Sequence, residues 1–66
     1  MAPDTKAALQ KLGDYGGVAL TTFPFWTGAL ATGIADAIAN GWAVSSDGFY
    51  RMTMAGEAAL YAALTA

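Results

Sequence analysis

The clearest apolar pattern lies in the middle of the chain. Apolar or small residues recur there at helical spacing: Leu30, Ile34, Ala37, Ile38 and Gly41. This spacing places one stripe of a helix against a core. Asn40-Gly41 should end the helix, because glycine accepts the left-handed conformation that follows many helix C-termini. The pattern predicts a central helix over residues 26–40.

A β-hairpin is predicted over residues 42–53, since two short runs with β character flank Asp47-Gly48. A two-residue Asp47-Gly48 loop would place four side chains on one face: Trp42, Val44, Phe49 and Arg51. That register brings a charge into the core. A three-residue loop that begins at Ser46 lines the inner face with a different set: Trp42, Val44, Tyr50 and Met52. We favour the three-residue loop.

Two further helices flank this central region. Residues 1–4 read as a leader, and Asp4 as the N-cap of a helix over residues 5–12. The apolar stripe of that helix contains Thr5, Ala8, Leu9 and Leu12. Thr53 should cap a last helix over residues 54–65, with Glu57 near its positive end.

The segment between the first and central helices is harder to interpret. Residues 14–17 are rich in turn-forming types, and residues 18–22 are compatible with either a strand or a helix. Phe23-Pro24-Phe25-Trp26 is the most hydrophobic part of the chain. Its aromatic side chains either close the core or, at Phe23 and Phe25, form an exposed anchor for a partner.

Residues 34–60 resemble the C-terminal part of a winged-helix domain. The resemblance lies in the succession Ile34, Ile38, Asn40-Gly41-Trp42, Asp47-Gly48-Phe49-Tyr50-Arg51-Met52-Thr53, Gly56 and Leu60. It implies a single α+β domain with three helices and a β-hairpin wing. It also implies that the central helix is a recognition helix, with Phe49 and Arg51 on the wing. The chain departs from the family because no separate helix is evident before the central one.

The charge distribution argues against DNA as the direct ligand. The chain has three basic and five acidic residues and a pI near 4.4, whereas phosphate binding needs a basic surface. There is no lysine or arginine between Phe25 and Tyr50. The outward face of the central helix carries mostly small side chains: Gly28, Ala29, Thr32, Asp36 and Ala39. Such a face suits close contact with a protein, for which Gly28, Thr32 and Asp36 are candidates.

Catalysis and cofactor binding find little support in the composition. Histidine and cysteine are absent, which removes the commonest general base and the strongest nucleophile. Each acidic residue has a cap, turn or surface explanation, and no phosphate-binding loop or metal-ligand spacing occurs. We therefore expect no enzyme activity, cofactor or metal.

Membrane insertion and export also find little support. The N-terminus lacks the pattern of a secretion signal. Tyr15 to Ala35 is free of charge, long enough to span a membrane, but Pro24 and several glycines and threonines argue against a span. We expect a cytoplasmic or virion-associated protein.

The sequence thus favours a small acidic protein-interaction module without enzymatic activity. Its size suits an accessory or inhibitor protein of a phage or mobile element, which would bind a foreign protein or form a homo-oligomer. A homo-oligomer would stabilise so small a core. The candidate contact residues are Phe49, Arg51, Gly28, Thr32, Asp36, Phe23 and Phe25. The alternatives are a winged-helix DNA-binding regulator and a small membrane-associated protein.

Overall fold

A computed structural model of the chain describes residues 1–15, 18–19 and 26–65. Within these residues lie three helices and a three-stranded antiparallel sheet. The helices are α1 (Pro3–Tyr15), α2 (Gly28–Ala39) and α3 (Met54–Thr65), and the strands are β1 (Val18–Ala19), β2 (Ala43–Ser46) and β3 (Phe49–Met52). The predicted α+β fold with three helices and a hairpin is confirmed.

Helix α1 begins earlier and ends later than the sequence predicts. Pro3 occupies its first position, where a missing N–H costs nothing, and the N–H of Lys6 donates to the carbonyl of Ala2 at 3.0 Å. Asp4 therefore lies within the first turn, and its predicted role as N-cap is wrong. The predicted stripe is confirmed, since all four of its side chains are buried: Thr5, Ala8, Leu9 and Leu12.

Helix α2 ends at the predicted glycine. The N–H of Gly41 donates to the carbonyl of Ile38 at 3.0 Å, and that of Trp42 donates to Ala37 at 2.9 Å. These two bonds form a Schellman motif. Gly41 has a φ of 76°, a conformation that costs glycine nothing and an L side chain about 1 kcal/mol or more.

The contact between α1 and α2 explains one error in the predicted stripe. Ile34 and Ala37 are buried as expected, but Ile38 is exposed and Gly33 is buried instead. A Cβ atom at Gly33 would overlap the backbone carbonyl of Asp4. The backbone of α1 thus lies directly on Gly33, which turns Ile38 toward the surface.

The hairpin has a two-residue turn, and the favoured three-residue register is wrong. Ser46 pairs with Phe49, and Ala43 pairs with Met52. Asp47 and Gly48 both have positive φ, 53° and 79°, as in a type I′ turn. Ala43 faces the core together with Tyr50 and Met52, whereas Val44 faces outward. Arg51 is on the outward face as well, so the two-residue register brings no charge into the core.

The close packing of α3 on the base of the hairpin fits that register, which the two-residue turn sets. A Cβ atom at Gly56 would overlap the backbone carbonyl of Trp42, so the helix and the chain entering β2 lie in direct backbone contact. The inward position next to Trp42 is filled by the buried methyl group of Ala43. The larger Val44 is exposed on the opposite face of the strand.

The hydroxyl of Thr53 joins the hairpin to α3. It accepts a hydrogen bond from the N–H of Gly56 at 3.0 Å, which confirms the predicted cap, and donates to the carbonyl of Gly41 at 2.7 Å. The N–H of Thr53 also donates to the carbonyl of Trp42 at 3.0 Å. The end of α2, the base of the hairpin and the start of α3 therefore form one hydrogen-bonded junction.

Strand β1 lies in the segment between α1 and α2, for which the sequence left strand and helix open. β1 pairs antiparallel with β3, Val18 with Tyr50 and Ala19 with Phe49, which gives the strand order β1-β3-β2. Residues 18–19 are therefore a strand. The rest of that segment, residues 16–17 and 20–25, lies outside the described residues.

Candidate interaction surface

The outward side of β2 and β3 carries the predicted wing residues. We call this surface the hairpin outer face, and it consists of Val44, Ser46, Phe49 and Arg51. Val44 is 44% exposed and Phe49 is 40% exposed. The Arg51 guanidinium carbon lies 5.5 Å from the centre of the Phe49 ring, within the range of a cation–π contact.

This geometry gives the hairpin outer face an apolar platform with one cation. The contact with the Phe49 ring restricts the Arg51 side chain, so less conformational entropy is lost when a partner covers it. Aromatic and arginine side chains contribute most to binding energy in protein interfaces. The face can therefore accept an apolar group next to a carboxylate.

The side chains on the opposite face of β3 hold this platform in place. Tyr50 and Met52 are half-buried and pack against the core. The Tyr50 ring meets that of Trp26 edge to face, with centroids 4.9 Å apart and planes at 77°. β3 is also the middle strand of the sheet, so Phe49 and Arg51 extend from a supported strand.

The predicted face of α2 is exposed and smooth, but it is not free of internal contacts. Gly28, Thr32 and Asp36 are all exposed. The hydroxyl of Thr32 donates to the carbonyl of Gly28 at 3.4 Å. The carboxylate of Asp36 accepts a 2.7 Å hydrogen bond from the buried hydroxyl of Thr5. Asp36 therefore has a structural role in joining α1 to α2.

The aromatic corner is described only at Trp26. Phe23 and Phe25, the predicted anchors, lie outside the described residues. Trp26 is half-buried and packs against the core cluster, as expected if the aromatic side chains help to close the core.

Helix α3 carries an exposed apolar surface that the sequence reasoning missed. We call it the α3 stripe, and it consists of Met54, Tyr61 and Leu64, which are 87%, 71% and 52% exposed. Next to this stripe on the surface of the helix, Gly56 and Leu60 are buried. A usable signal was present in the sequence, because four large apolar residues share a helix with a single charge, Glu57.

A groove lies beside the α3 stripe, between α1 and α3. Its volume is about 420 Å³, and Leu60 and Leu64 line its α3 side. The α1 side is lined by Ala7, Gln10, Lys11, Gly13 and Asp14. The groove is thus apolar along α3 and polar at part of its α1 edge.

In residues 1–15, 18–19 and 26–65, no three acidic side chains are grouped closely enough to hold a metal ion. Within the same residues, no helix combines the length and apolar character required to cross a membrane.

The resemblance to winged-helix domains rests on the residues between Ile34 and Leu60, and it stays a prediction. No protein-family model, no curated protein and no solved structure matches this chain.

Proposed function

We propose that this protein is a small acidic module, without enzymatic activity, that binds another protein through its hairpin outer face. The observation that carries the proposal is the exposed pair of Phe49 and Arg51 in mutual contact on a supported strand. Val44 extends the apolar part of the face. The partner surface that fits best offers an apolar or aromatic group beside a carboxylate.

The hairpin outer face and the face of α2 are two distinct candidate binding surfaces, and substitutions can probe them separately. The outward face of α2 is a second candidate surface, and it carries Gly28, Thr32 and Asp36. Its small side chains would allow a partner to approach closely. Because Asp36 also bonds Thr5, a substitution there would change stability and binding together. Thr32→Arg is a cleaner probe of the α2 face, since Thr32 is exposed and the hydrogen bond from its hydroxyl to the carbonyl of Gly28 is long, at 3.4 Å.

The test is affinity capture followed by titration with the purified partner. We expect Phe49→Ala combined with Arg51→Ala to weaken binding by about thirtyfold or more, as for a loss of about 2 kcal/mol at a hot spot. Thr32→Arg should bind like the wild type. Unchanged affinity of the double variant, with its circular dichroism spectrum intact, would remove the hairpin from the interaction.

A DNA-binding regulator of winged-helix type is the second candidate. It is favoured by the order of elements, in which β1 pairs with the hairpin and α2 precedes it. Against it stands α2, which has no basic residue. Titration of duplex DNA at low salt separates the two candidates, because micromolar, steeply salt-dependent binding would favour the regulator.

The proposed setting is the cytoplasm or the virion, as an accessory or inhibitor protein of a phage or mobile element. The small size and sparse charge of the chain support this setting. The identity of the partner from the capture experiment tests the setting directly, since we expect a component of a nucleoprotein machine or of a virion.

A further inference from the structure

We propose that α3 pairs antiparallel with α3 of a second copy of this chain. The α3 stripe leaves three large apolar side chains in water, and α3 has only one charged residue. At 3.6 residues per turn, Met54, Tyr61 and Leu64 lie within an arc of about 80°. Glu57, which is also exposed, falls within the same arc.

The spacing of these four residues is that of a coiled-coil seam. Met54, Glu57, Tyr61 and Leu64 follow one another at intervals of three, four and three, as the a and d positions of a heptad do. In an antiparallel pair, each a position meets a d position of the other helix. Met54 then faces Leu64 of the second copy, and Glu57 faces Tyr61.

Both pairings are chemically complementary. The phenol of Tyr61 can donate a charge-assisted hydrogen bond to the carboxylate of Glu57 in the other copy, and the symmetry provides this contact twice. A parallel pair would instead bring two Glu57 carboxylates together. The single charge of the helix therefore selects the antiparallel orientation.

The groove beside the α3 stripe can accommodate the contact between Met54 of one copy and Leu64 of the other. Leu64 lines this groove together with Leu60, and Leu64 is the residue that Met54 of the second copy would face. Methionine is unbranched and flexible, so it fills irregular gaps well. Each Met54 side chain would cover the apolar wall of the groove in the other copy.

The expected dimer is weak. The seam runs from Met54 to Leu64, about 15 Å of helix at 1.5 Å per residue, and so short a contact falls below the roughly 1,200 Å² of a standard interface. We expect a monomer–dimer equilibrium that responds to concentration between about 10 μM and 1 mM.

Sedimentation equilibrium over that range tests the pairing. The wild type should shift from monomer to dimer, and Tyr61→Asp, which places a second acid opposite Glu57, should weaken dimerisation by about tenfold or more. Val44→Asp adds the same charge on the hairpin outer face and should dimerise like the wild type. A wild type that stays monomeric throughout, or a Tyr61→Asp variant that dimerises equally well, overturns the proposal.

Disulfide trapping tests the orientation, because the chain contains no cysteine. A one-to-one mixture of Met54→Cys and Leu64→Cys chains should give a cross-linked dimer on mild oxidation. Met54→Cys alone should not cross-link, since its two copies would lie about 15 Å apart along the helices. Efficient cross-linking of Met54→Cys with itself would contradict the antiparallel register.

Discussion

Helices α2 and α3 are alike in composition and differ in how the fold uses them. Each spans 12 residues, has one acidic and no basic residue, and buries one glycine against a backbone carbonyl. On α2 the acidic residue, Asp36, accepts a hydrogen bond from Thr5, and the outward face carries mostly small side chains. On α3 the outward face carries Met54, Tyr61 and Leu64.

The difference shows how two similar helices acquire different surfaces. The inner side of α2 packs along α1, and its outward face has no large side chain left to cover other than Ile38. Helix α3 buries Gly56 and Leu60, and the adjoining large side chains of Met54, Tyr61 and Leu64 remain exposed. Helix α2 therefore leaves little apolar surface in water, whereas α3 leaves a wide one.

The sharpest test of which part of the α3 surface is covered compares two leucines that lie one turn apart. Leu60→Ala removes a side chain that is only 8% exposed, and we expect a loss of about 2–5 kcal/mol in the free energy of unfolding. Leu64→Ala, at a side chain that is 52% exposed, should cost less than about 1 kcal/mol at low concentration. Urea denaturation of both variants in dilute solution checks this. Equal losses would contradict the burial of Leu60 and the exposure of Leu64.

The two buried glycines should behave alike, despite the different surfaces of their helices. Gly33→Ala and Gly56→Ala each place a Cβ atom into a backbone carbonyl, and we expect a loss of about 1–3 kcal/mol. Helix propensity alone would give the opposite sign, a gain of up to about 1 kcal/mol.

Gly13→Ala is the matched control for the glycines. Its Cβ atom would meet the Cε atom of Met52 at 3.6 Å, an ordinary contact, within helix α1. It should stabilise the protein by several tenths of a kcal/mol, up to about 1. Stabilisation by Gly33→Ala as well would show that α1 and α2 are not in backbone contact.

Substitution of the acidic residue of each helix, Asp36 in α2 or Glu57 in α3, should have a smaller effect than Leu60→Ala. Asp36→Ala removes the acceptor of the Thr5 hydroxyl and should cost about 1–2 kcal/mol. Glu57→Ala removes only a favourable charge in the first turn of α3, worth about 0.3–1 kcal/mol at low salt. Thermal unfolding at low and high salt distinguishes the two, because screening should reduce the effect at Glu57 more than that at Asp36. Equal effects would place Asp36 among ordinary surface charges.

Much of the local structure can be predicted from the sequence. The glycine stop at Gly41, the cap at Thr53 and the buried stripe of α1 each depend on neighbours within a few residues. The wing residues Phe49 and Arg51 are exposed and lie on the same side, because they are two residues apart in strand β3. The contribution of these residues to binding stays a prediction.

Other features depend on contacts between distant parts of the chain. The packing of α3 on the base of the hairpin depends on the approach of Gly56 to Trp42, with Ala43 on the inner face. The burial of Gly33 in place of Ile38 follows from the backbone of α1. Neither contact has a periodic signal, because glycine contributes no side chain to an apolar pattern.

The sequence by itself determined where the helices and the hairpin begin and end to within a few residues, since caps and turns are short-range. Only the tertiary structure decided which sides of α2, α3 and the hairpin are covered. That choice depends on how closely two backbones approach, and the residues that permit the closest approach here are the glycines.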